Sequence, residues 1–578
     1  MGNTNTKKLM QNKTKTMLGL QRFFINFALL LSSALLFSLS HPNSIWQKGF
    51  FFLAYFMYLP LLILISRLRL KESFLYGFLY GIIAYCIFTY WLATFHPMGI
   101  LVISFLYGFQ YALLFPILVS ARIILERQKL TSVVFTKKLL YMQWLILSAY
   151  EFIKTLGFAG FHYGLAAYTQ WSLPPIIQIT DIVGVWGLSA LILFVSSLSF
   201  SVYQVYKDRL MQRDKSNRAF FSPRVFRESI GVFFKPLVVW LCIFFLVLVY
   251  GFLVQKNYDD YPQKTIVLIQ SNVDPWIGDH ETYKYNLHTL IRLTNEALAD
   301  LEKQGLEADL IVWPETAFIP RIEWHYAKRL YPESYEQVKI LLDFIDSLPA
   351  PILLGNDYGV EGYDRLGEFR ILDYNAALLF YPGVNVYPPK PEMYKKNHLV
   401  PFTEHFPFEK LFPKLYQALL NGDTHMWEPG LEKNILRIDG LGFGTPICFE
   451  DTFGYIGRDF VKNGAQAFVN ISNDAWSKSL ACQYQHLSMA VFRSVENRVP
   501  QVRSTASGQT CFIDPNGRIM AMAEPFVETY LIGSIPIIDT VKPSLYNKWG
   551  DYMGYIFVIL ALSLYIINIS LGFKKEKE

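Results

Sequence analysis

The sequence contains few charged residues and few cysteines, and both facts exclude some classes of partner and of binding site. Only 17% of its 578 residues are charged, and the net charge is +6. No basic stripe with interleaved aromatic residues occurs in residues 255–548, so nucleic acid is not expected as a partner. The five cysteines form no CxxC pair and have none of the spacings typical of a metal site. We therefore expect neither a metal nor another cofactor.

The cysteines divide into two groups. Cys86 and Cys242 lie in apolar runs, where a cysteine is usually inert packing. For the other three, a disulfide between Cys482 and Cys511 stays open from the sequence alone. Such a bond would leave Cys448 as a free thiol.

Apolar residues are in excess, at 52% of the chain, and they are concentrated in residues 22–254 and 551–573. Residues 255–548 have the composition of an ordinary globular domain. A helix needs about 20 apolar residues to cross a bilayer. Runs of roughly this length occur at 22–40, 49–66, 73–95, 99–121, 139–159, 183–204, 235–254 and 551–571.

The first apolar run allows two interpretations. Residues 1–21 are polar and lysine-containing, as at the start of a cleaved signal peptide. However, several apolar runs follow, and no persuasive small-x-small cleavage site precedes His41. A retained first transmembrane helix is the better interpretation.

Positive charge in the connecting loops predicts the orientation. The loops after the second, fourth and sixth runs are rich in Lys and Arg, whereas the alternate loops contain only Lys48. Because positive loops stay in the cytoplasm, the N-terminus is expected to be cytoplasmic. The predicted division is transmembrane helices one to seven in 1–254, an extracytoplasmic domain in 255–548, and helix eight with a cytoplasmic tail in 549–578.

The extracytoplasmic domain alternates apolar strands with helical stretches, which is typical of a layered α/β fold. Strands are predicted at Thr265–Gln270, Asp309–Trp313, Pro351–Gly355, Ala376–Tyr381, Ile435–Ile438, Ala467–Ile471 and Thr510–Ile513. Helices are predicted at 281–304, 334–348, 453–463 and 484–498.

Three stretches place ionisable side chains beside the ends of predicted strands. They are Trp-Pro-Glu ending at Glu315, the stretch from Lys396 to Glu404, and Ile-Cys-Phe-Glu around Cys448. Taken singly, each has a plainer explanation: Glu315 as a solvated carboxylate, Lys396 as a surface lysine, and Cys448 as an inert buried cysteine. Together they supply a general base, a cation for a developing oxyanion, and a covalent nucleophile.

In this order the three stretches resemble the Glu-Lys-Cys triad of the nitrilase superfamily. The amino acids at 394–404 and 472–476, together with the arrangement of membrane spans, resemble those of the apolipoprotein N-acyltransferase family. The resemblance implies a multi-pass α-helical membrane bundle of about eight spans. It also implies an α/β nitrilase-like extracytoplasmic domain built as an αββα sandwich, in the bacterial cytoplasmic (inner) membrane, on its periplasmic side.

The resemblance also implies a site and a reaction. Glu315, Lys396 and Cys448 correspond to the triad. Cys448 would take an acyl group from the sn-1 ester of a membrane phospholipid as a thioester. The α-amine of a diacylglyceryl-cysteine lipoprotein would then accept it, completing lipoprotein maturation. Supporting or substrate-binding positions are Glu404, Glu450, Phe449, Trp313, Asn473 and Trp476.

Several positions depart from the family pattern. Thr403 stands where glycine is common, and we expect it to alter the loop of Glu404, because threonine does not adopt a positive φ freely. Ser477-Lys478-Ser479 replaces an expected Phe-Gly. Glu151 and Lys154 stand where Glu and Arg are expected, at a spacing that allows them to pair. His398 and His486 are expected to be structural hydrogen-bonding residues.

Two other functions are compatible with the sequence. A membrane-tethered nitrilase-type amidase would pass the acyl group to water instead of to an amine. An inactive paralogue would bind lipid or lipoprotein without chemistry. The intact Glu315, Lys396 and Cys448 argue against the second, because a binding protein needs no such set.

Overall fold

The computed structural model describes residues 2–95, 97–157, 160–213, 222–273, 278–364, 367–406, 408–420, 426–539 and 541–577. A helical region comes first, an α/β domain follows, and one long helix ends the chain. Part of the basic loop after the sixth apolar run, residues 214–221, lies outside the described residues.

Helices make up the first region. They are α1 (Gly2–Ser40), α2 (Leu59–Arg67), α3 (Leu70–Phe88), α4 (Leu92–Phe95), α5 (Pro97–Glu126), α6 (Ser132–Ile153), α7 (Pro174–Ile177), α8 (Thr180–Arg213), α9 (Pro223–Val232) and α10 (Phe234–Val254). Short 3-10 helices occur at Phe51–Tyr55 and Ala166–Gln170.

Six helices of the described chain are long and apolar enough to cross a membrane, judged by length and composition. They cover Gly19–Ser40, Leu70–Phe88, Met98–Glu126, Thr180–Gln212, Phe234–Val254 and Tyr552–Lys574. The predicted second span is a shorter apolar segment, Phe51–Arg67. The predicted fifth coincides with α6, which carries Lys137, Lys138 and Glu151. The count of eight spans therefore stays a prediction.

Two glycines bring α3 and α5 into backbone contact. A Cβ atom at Gly77 would lie 2.3 Å from the carbonyl oxygen of Tyr111, and one at Gly81 would lie 2.3 Å from that of Tyr107. Residues four apart share one helix face, so both glycines line the same contact. Small residues at such spacing let membrane helices approach closely, where dispersion holds them together.

The α/β domain contains the strands β1 (Gln263–Gln270), β2 (Leu310–Val312), β3 (Ile352–Tyr363), β4 (Phe369–Phe380), β5 (Glu392–Lys395), β6 (Leu436–Ile438), β7 (Leu441–Gly444), β8 (Ala467–Ser472), β9 (Gln501–Thr505), β10 (Cys511–Ile513), β11 (Ile519–Met522) and β12 (Thr529–Pro536). Its helices are α11 (His280–Lys303), α12 (Ile322–Lys328), α13 (Pro332–Asp346), α14 (Pro413–Leu420), α15 (Gly454–Lys462), α16 (Leu480–Asn497) and α17 (Leu545–Trp549). The last helix is α18 (Tyr552–Lys577).

Within the described residues these strands form two six-stranded sheets, ordered β12-β1-β2-β3-β4-β5 and β11-β10-β9-β8-β7-β6. The centre of each is parallel, namely β1 to β3 in one and β7 to β9 in the other. The remaining pairs are antiparallel. Parallel strands place their carboxyl ends at one edge, which is where α/β folds carry reactive groups.

Alternating side chains fill two cores. Ile266 and Leu268 of β1 pack between the sheets against residues such as Phe443 and Val469. Val267 and Ile269 point the other way and pack against α11 and α13. This alternation is the period of two expected of strands buried on both faces. The order helix, sheet, sheet, helix agrees with the αββα sandwich expected from the resemblance.

Helix α16 joins the α/β domain to the membrane helices. Its Leu487 and Val491 belong to the same core as Tyr168 and Ile177 of the first region. Next to it, Arg498 forms a 2.6 Å ion pair with Asp181 at the start of α8. The α/β domain is therefore braced against the membrane helices as well as tethered to them.

The predicted strands and helices of the α/β domain are all present, with boundaries that move by a few residues. The exceptions are β3 and β4, which extend well past the predicted apolar runs into a polar hairpin. Strands β5, β7, β9, β11 and β12 and helices α12, α14 and α17 were not predicted from the sequence. All five cysteines lie in the described part of the chain and are free, so the open Cys482–Cys511 disulfide is not formed.

We predict that Gly81→Ala destabilises the protein, because its methyl group would meet the Tyr107 carbonyl and push α3 away from α5. Overpacking of this kind costs about 1–3 kcal/mol. Thermal unfolding in detergent should show a lower Tm. Gly231→Ala in α9 is the control, since nothing lies within 4 Å of its Cβ position. Equal Tm values for the two variants would contradict the proposed contact.

Candidate active site

Four loops meet at the carboxyl-end edge of the two sheets. Glu315 follows β2, Lys396 follows β5, Cys448 follows β7, and Asn473 follows β8. The structure therefore brings together the three residues predicted as a triad and three of the predicted supporting residues, Asn473, Glu404 and Glu450.

Glu315 is buried and is held from both sides. Its Oε1 accepts hydrogen bonds from Asn375 Nδ2 at 2.8 Å and from Lys396 Nζ at 3.3 Å. Its Oε2 accepts one from the backbone N–H of Asn473 at 2.9 Å. Thr316, the next residue, has φ +48°, so the chain turns sharply after the carboxylate. These contacts fix the carboxylate in one orientation.

Lys396 is fully buried and lies between two carboxylates. Its Nζ donates to Glu404 Oε1 at 2.7 Å and to Glu315 Oε1 at 3.3 Å. Burial alone lowers the pKa of an ammonium, but the charges of Glu404 and Glu315 outweigh it and raise the pKa of Lys396 well above its ordinary value. Lys396 therefore carries a fixed positive charge inside the site.

Glu404 is the second anion of this group. Besides Lys396, it accepts the backbone N–H of Val400 at 2.8 Å. Burial raises the pKa of Glu404, and Lys396 partly offsets that rise. Glu404 thus ties the loop after residue 396 back onto the lysine.

Cys448 begins a 3-10 turn, Cys448–Thr452, with φ +52°. Few non-glycine residues adopt this left-handed conformation, and those that do are often held at functional sites. Asn470 Nδ2 holds the turn by donating to the carbonyls of Pro446 at 2.9 Å and Cys448 at 3.3 Å.

The thiol of Cys448 is in a mixed electrostatic environment. Burial and then the charge of Glu315 raise its pKa well above the ordinary value, while Lys396 lowers it. The resting side chain is therefore a thiol, and a base must remove its proton before it can attack.

Glu450 joins the lysine loop to the cysteine turn. Its Oε1 accepts the backbone N–H groups of Asn397 at 2.7 Å and His398 at 2.9 Å. Its Oε2 accepts the N–H of Ile447 at 2.9 Å, and Tyr394 OH donates to both oxygens. Burial raises its pKa to about 6, although the backbone donors favour the charged form.

The other predicted supporting residues are Phe449, Trp476 and Trp313, and they lie in different surroundings. Phe449 packs edge-on against Phe453 at 4.7 Å, and Trp476 lies 5.7 Å from Trp91 of the first region. Trp313 is not in the site. Its indole N–H donates to Thr294 at 2.9 Å in the helix-side core, on the face of the sheet that Ile311 also occupies.

The departures from the family pattern have local explanations. Thr403 does not adopt a positive φ; the neighbouring Phe402 does, at +68°. Thr403 is therefore not strained by a left-handed backbone conformation. Lys478 takes a left-handed φ of +46° in the Ser-Lys-Ser stretch, and Thr94 Oγ1 donates to the Ser477 carbonyl at 2.6 Å.

Glu151 and Lys154 pair as predicted, at 2.7 Å, and both are buried. Glu151 also accepts the N–H of Ala166 at 2.7 Å, and Lys154 donates to the Gly164 carbonyl at 2.9 Å. The pair thus closes the loop that carries Tyr163, whose ring stacks on Phe161 and lies 5.6 Å from Trp91.

The two histidines are hydrogen-bonded, as predicted. His398 Nδ1 lies 2.7 Å from Tyr455 OH, and His486 contacts two aspartates. Residues that sequence reasoning missed include Asn375, Tyr394 and Asn470. Asn470 had a signal, since it is the single polar residue within the predicted strand Ala467–Ile471. In the described chain no cluster of His, Cys, Asp and Glu is arranged to hold a metal ion.

Comparison with known proteins finds two matching family models. The apolipoprotein N-acyltransferase N-terminal domain matches residues 33–198, and carbon-nitrogen hydrolase matches residues 268–541. The predicted fold class, a helical membrane bundle joined to a nitrilase-like α/β domain, is confirmed.

Full-length relatives are also found. Apolipoprotein N-acyltransferase 1 of Treponema denticola is 41% identical over 96% of this chain and 98% of its own length. Its namesake in Treponema pallidum is 38% identical over 93% and 95%. Among solved structures, the nitrilase-superfamily protein Nit3 of Saccharomyces cerevisiae is 17% identical, covering 47% of this chain and 90% of that one, with a TM-score of 0.32.

The raised pKa of Glu450 predicts a pH dependence. With a pKa of about 6 against an ordinary 4.5, the folded protein holds this proton more tightly than the unfolded chain does. Its stabilising contribution is therefore complete below pH 4.5 and is lost as the pH rises through about 6. The difference corresponds to about 2 kcal/mol.

The measurement is the Tm of the wild type and of Glu450→Gln from pH 4.5 to pH 7. The wild type should lose stability relative to the variant across this window. Glu432→Gln, which removes an exposed carboxylate, is the matched control and should run parallel to the wild type. A difference between wild type and Glu450→Gln that does not change with pH would count against the assignment.

Proposed function

Since this chain belongs to the apolipoprotein N-acyltransferase family, we propose that it moves a fatty acyl group from a membrane phospholipid to the N-terminal amine of a diacylglyceryl lipoprotein, through a thioester on Cys448. The observation that carries the proposal is the convergence of Glu315, Lys396 and Cys448 at one sheet edge. The acyltransferase class follows from the family; the triad and the donor are the proposal.

In the first half-reaction Glu315 takes the proton of the Cys448 thiol, and the thiolate attacks the ester carbonyl carbon of the phospholipid. Negative charge then develops on the carbonyl oxygen. Lys396, already an ammonium, stabilises that charge without reorganisation. When the intermediate collapses, the lysophospholipid alkoxide leaves and receives the proton from Glu315.

In the second half-reaction the lipoprotein amine attacks the thioester carbonyl carbon. Glu315 accepts a proton from the amine, Lys396 again faces the oxyanion, and the Cys448 thiolate leaves and is reprotonated. Each group thus acts twice, in opposite directions. Glu404 keeps Lys396 charged throughout, because a neutral lysine could not stabilise either intermediate.

The position of the site beside the membrane helices supports lipid substrates. Trp476 of the α/β domain packs against Trp91 at 5.7 Å, and Trp91 packs against Tyr163 at 5.6 Å. An aromatic surface from the helical region therefore underlies the loop after β8. It allows acyl chains to stay in apolar surroundings, where each buried CH₂ is worth about 0.8 kcal/mol.

The test is intact-protein mass spectrometry after incubation with phospholipid and no acceptor. The wild type should gain one fatty acyl group that hydroxylamine removes, and Cys448→Ala should gain none. Cys242→Ala, which changes a cysteine exposed on α10, is the control and should acylate like the wild type. A diacylated lipopeptide should then discharge the acyl-enzyme onto its amine.

Two results would overturn the proposal. If the wild type gains no acyl group from any of a range of phospholipids, Cys448 is not the acyl carrier. If the thioester forms but is lost equally fast with and without the lipopeptide, the protein is a hydrolase and not a transferase.

We also propose that the α/β domain lies on the periplasmic side, because the basic loops after the second, fourth and sixth apolar runs favour the cytoplasm. In a background without native cysteines, a membrane-impermeant maleimide applied to spheroplasts should label Leu431→Cys, a position 93% exposed in the α/β domain. It should label Lys129→Cys, in the loop after α5, only after lysis. The reverse pattern would invert the orientation.

A further inference from the structure

Four buried ionisable side chains form a cluster at the cysteine turn, Cys448–Thr452. Asp451 belongs to the turn itself, and Asp474 follows Asn473 in the loop after β8. His486 comes from α16 and Arg503 from β9. None of the four is more than 2% exposed. Burying charge costs free energy unless each group is paired, so the partners of these four side chains have to be identified.

His486 bridges the two loops. Its Nε2 lies 2.8 Å from Asp451 Oδ1, and its Nδ1 lies 3.1 Å from Asp474 Oδ1. Arg503 reinforces the bridge by donating to Asp451 Oδ2 and lying 3.7 Å from Asp474 Oδ2. Gln501 donates a further hydrogen bond to Asp451, and Ser472 donates one to Asp474.

Both ring nitrogens of His486 face carboxylates, and Nδ1 also lies 3.5 Å from Arg503 Nη2. The imidazole ring is therefore held at once by the cysteine turn, by the loop after β8 and by β9.

Each aspartate is linked through a short piece of chain to a residue of the proposed triad. Asp451 lies three residues after Cys448 in the same 3-10 turn. Asp474 follows Asn473, whose backbone N–H binds Glu315. A displacement of one loop relative to the other would change where the thiol lies with respect to its base.

We propose that His486 is a positioning residue that fastens the cysteine turn to the loop after β8 and so sets the placement of Cys448 relative to Glu315. This inference rests on the proposed roles of Cys448 and Glu315. It adds a group that does not touch the substrate and acts only through Asp451 and Asp474.

The first test compares His486→Gln, Asp474→Asn and the double variant. Both single changes act on the same contact between His486 and Asp474, so the double variant removes little beyond what His486→Gln alone removes. We expect each single variant to lower kcat for acylation about tenfold to a hundredfold, with little change in KM for phospholipid, since misplacement by about 1 Å can cost that much. The double variant should lose less than the product of the two single losses.

A second measurement does not depend on lipid chemistry. The rate at which iodoacetamide alkylates Cys448, followed by peptide mapping, reports how readily the thiol loses its proton to its base. We expect His486→Gln to slow this alkylation about as much as it slows kcat. If the wild type is alkylated normally yet forms no acyl-enzyme, the proposed function fails while the positioning role can still be judged.

Asn497→Leu is the matched control. It removes a fully buried amide from the other end of α16, about 16 Å away along the helix, where Asn547 donates to it at 2.8 Å. It should lower the Tm without slowing alkylation of Cys448. The inference is overturned if His486→Gln is no slower than Asn497→Leu, or if the losses in the double variant simply multiply. Should His486→Gln fail to fold, slow alkylation in Asp474→Asn, which preserves side-chain volume, still decides the matter.

Discussion

The burial of one ammonium between two carboxylates is the constraint on which the rest of the site depends. Lys396 is fully buried, so its charge depends on Glu315 and Glu404, which lie within hydrogen-bonding distance. Those carboxylates in turn need fixed donors, which Asn375, Asn473 and Val400 provide. Every loop at the site is therefore shaped by the need to keep a buried charge paired.

The same requirement explains how two separate sheets come to share one site. Glu450 accepts backbone donors from the lysine loop of one sheet and from the cysteine turn of the other. The apolar core between the sheets brings the strands together without directional preference. The carboxylates add direction, because a hydrogen bond is lost if a loop shifts by little more than an ångström.

Much of this arrangement could be predicted from the sequence. Glu315 follows a predicted apolar strand, whereas the grouping of Glu315 with Lys396 and Cys448 came from the resemblance to the nitrilase superfamily. Asn375 and the His486 network could not be predicted, because their partners lie far apart in sequence and depend on strand register. The location of Trp313 in the helix-side core could not be predicted either, because proximity in sequence does not say which face of a strand a side chain occupies. Short strands such as β7 and β11 carry too few residues to show a period.

The bracing of the α/β domain against α8 through Arg498 and Asp181 has a mechanical consequence. Membrane helices meet a bilayer that is too thick or too thin by tilting. A domain hanging from flexible linkers would be indifferent to such tilt, but a braced domain turns with the helices. Any tilt of α8 is therefore passed to the α/β domain and to the cysteine turn that it carries.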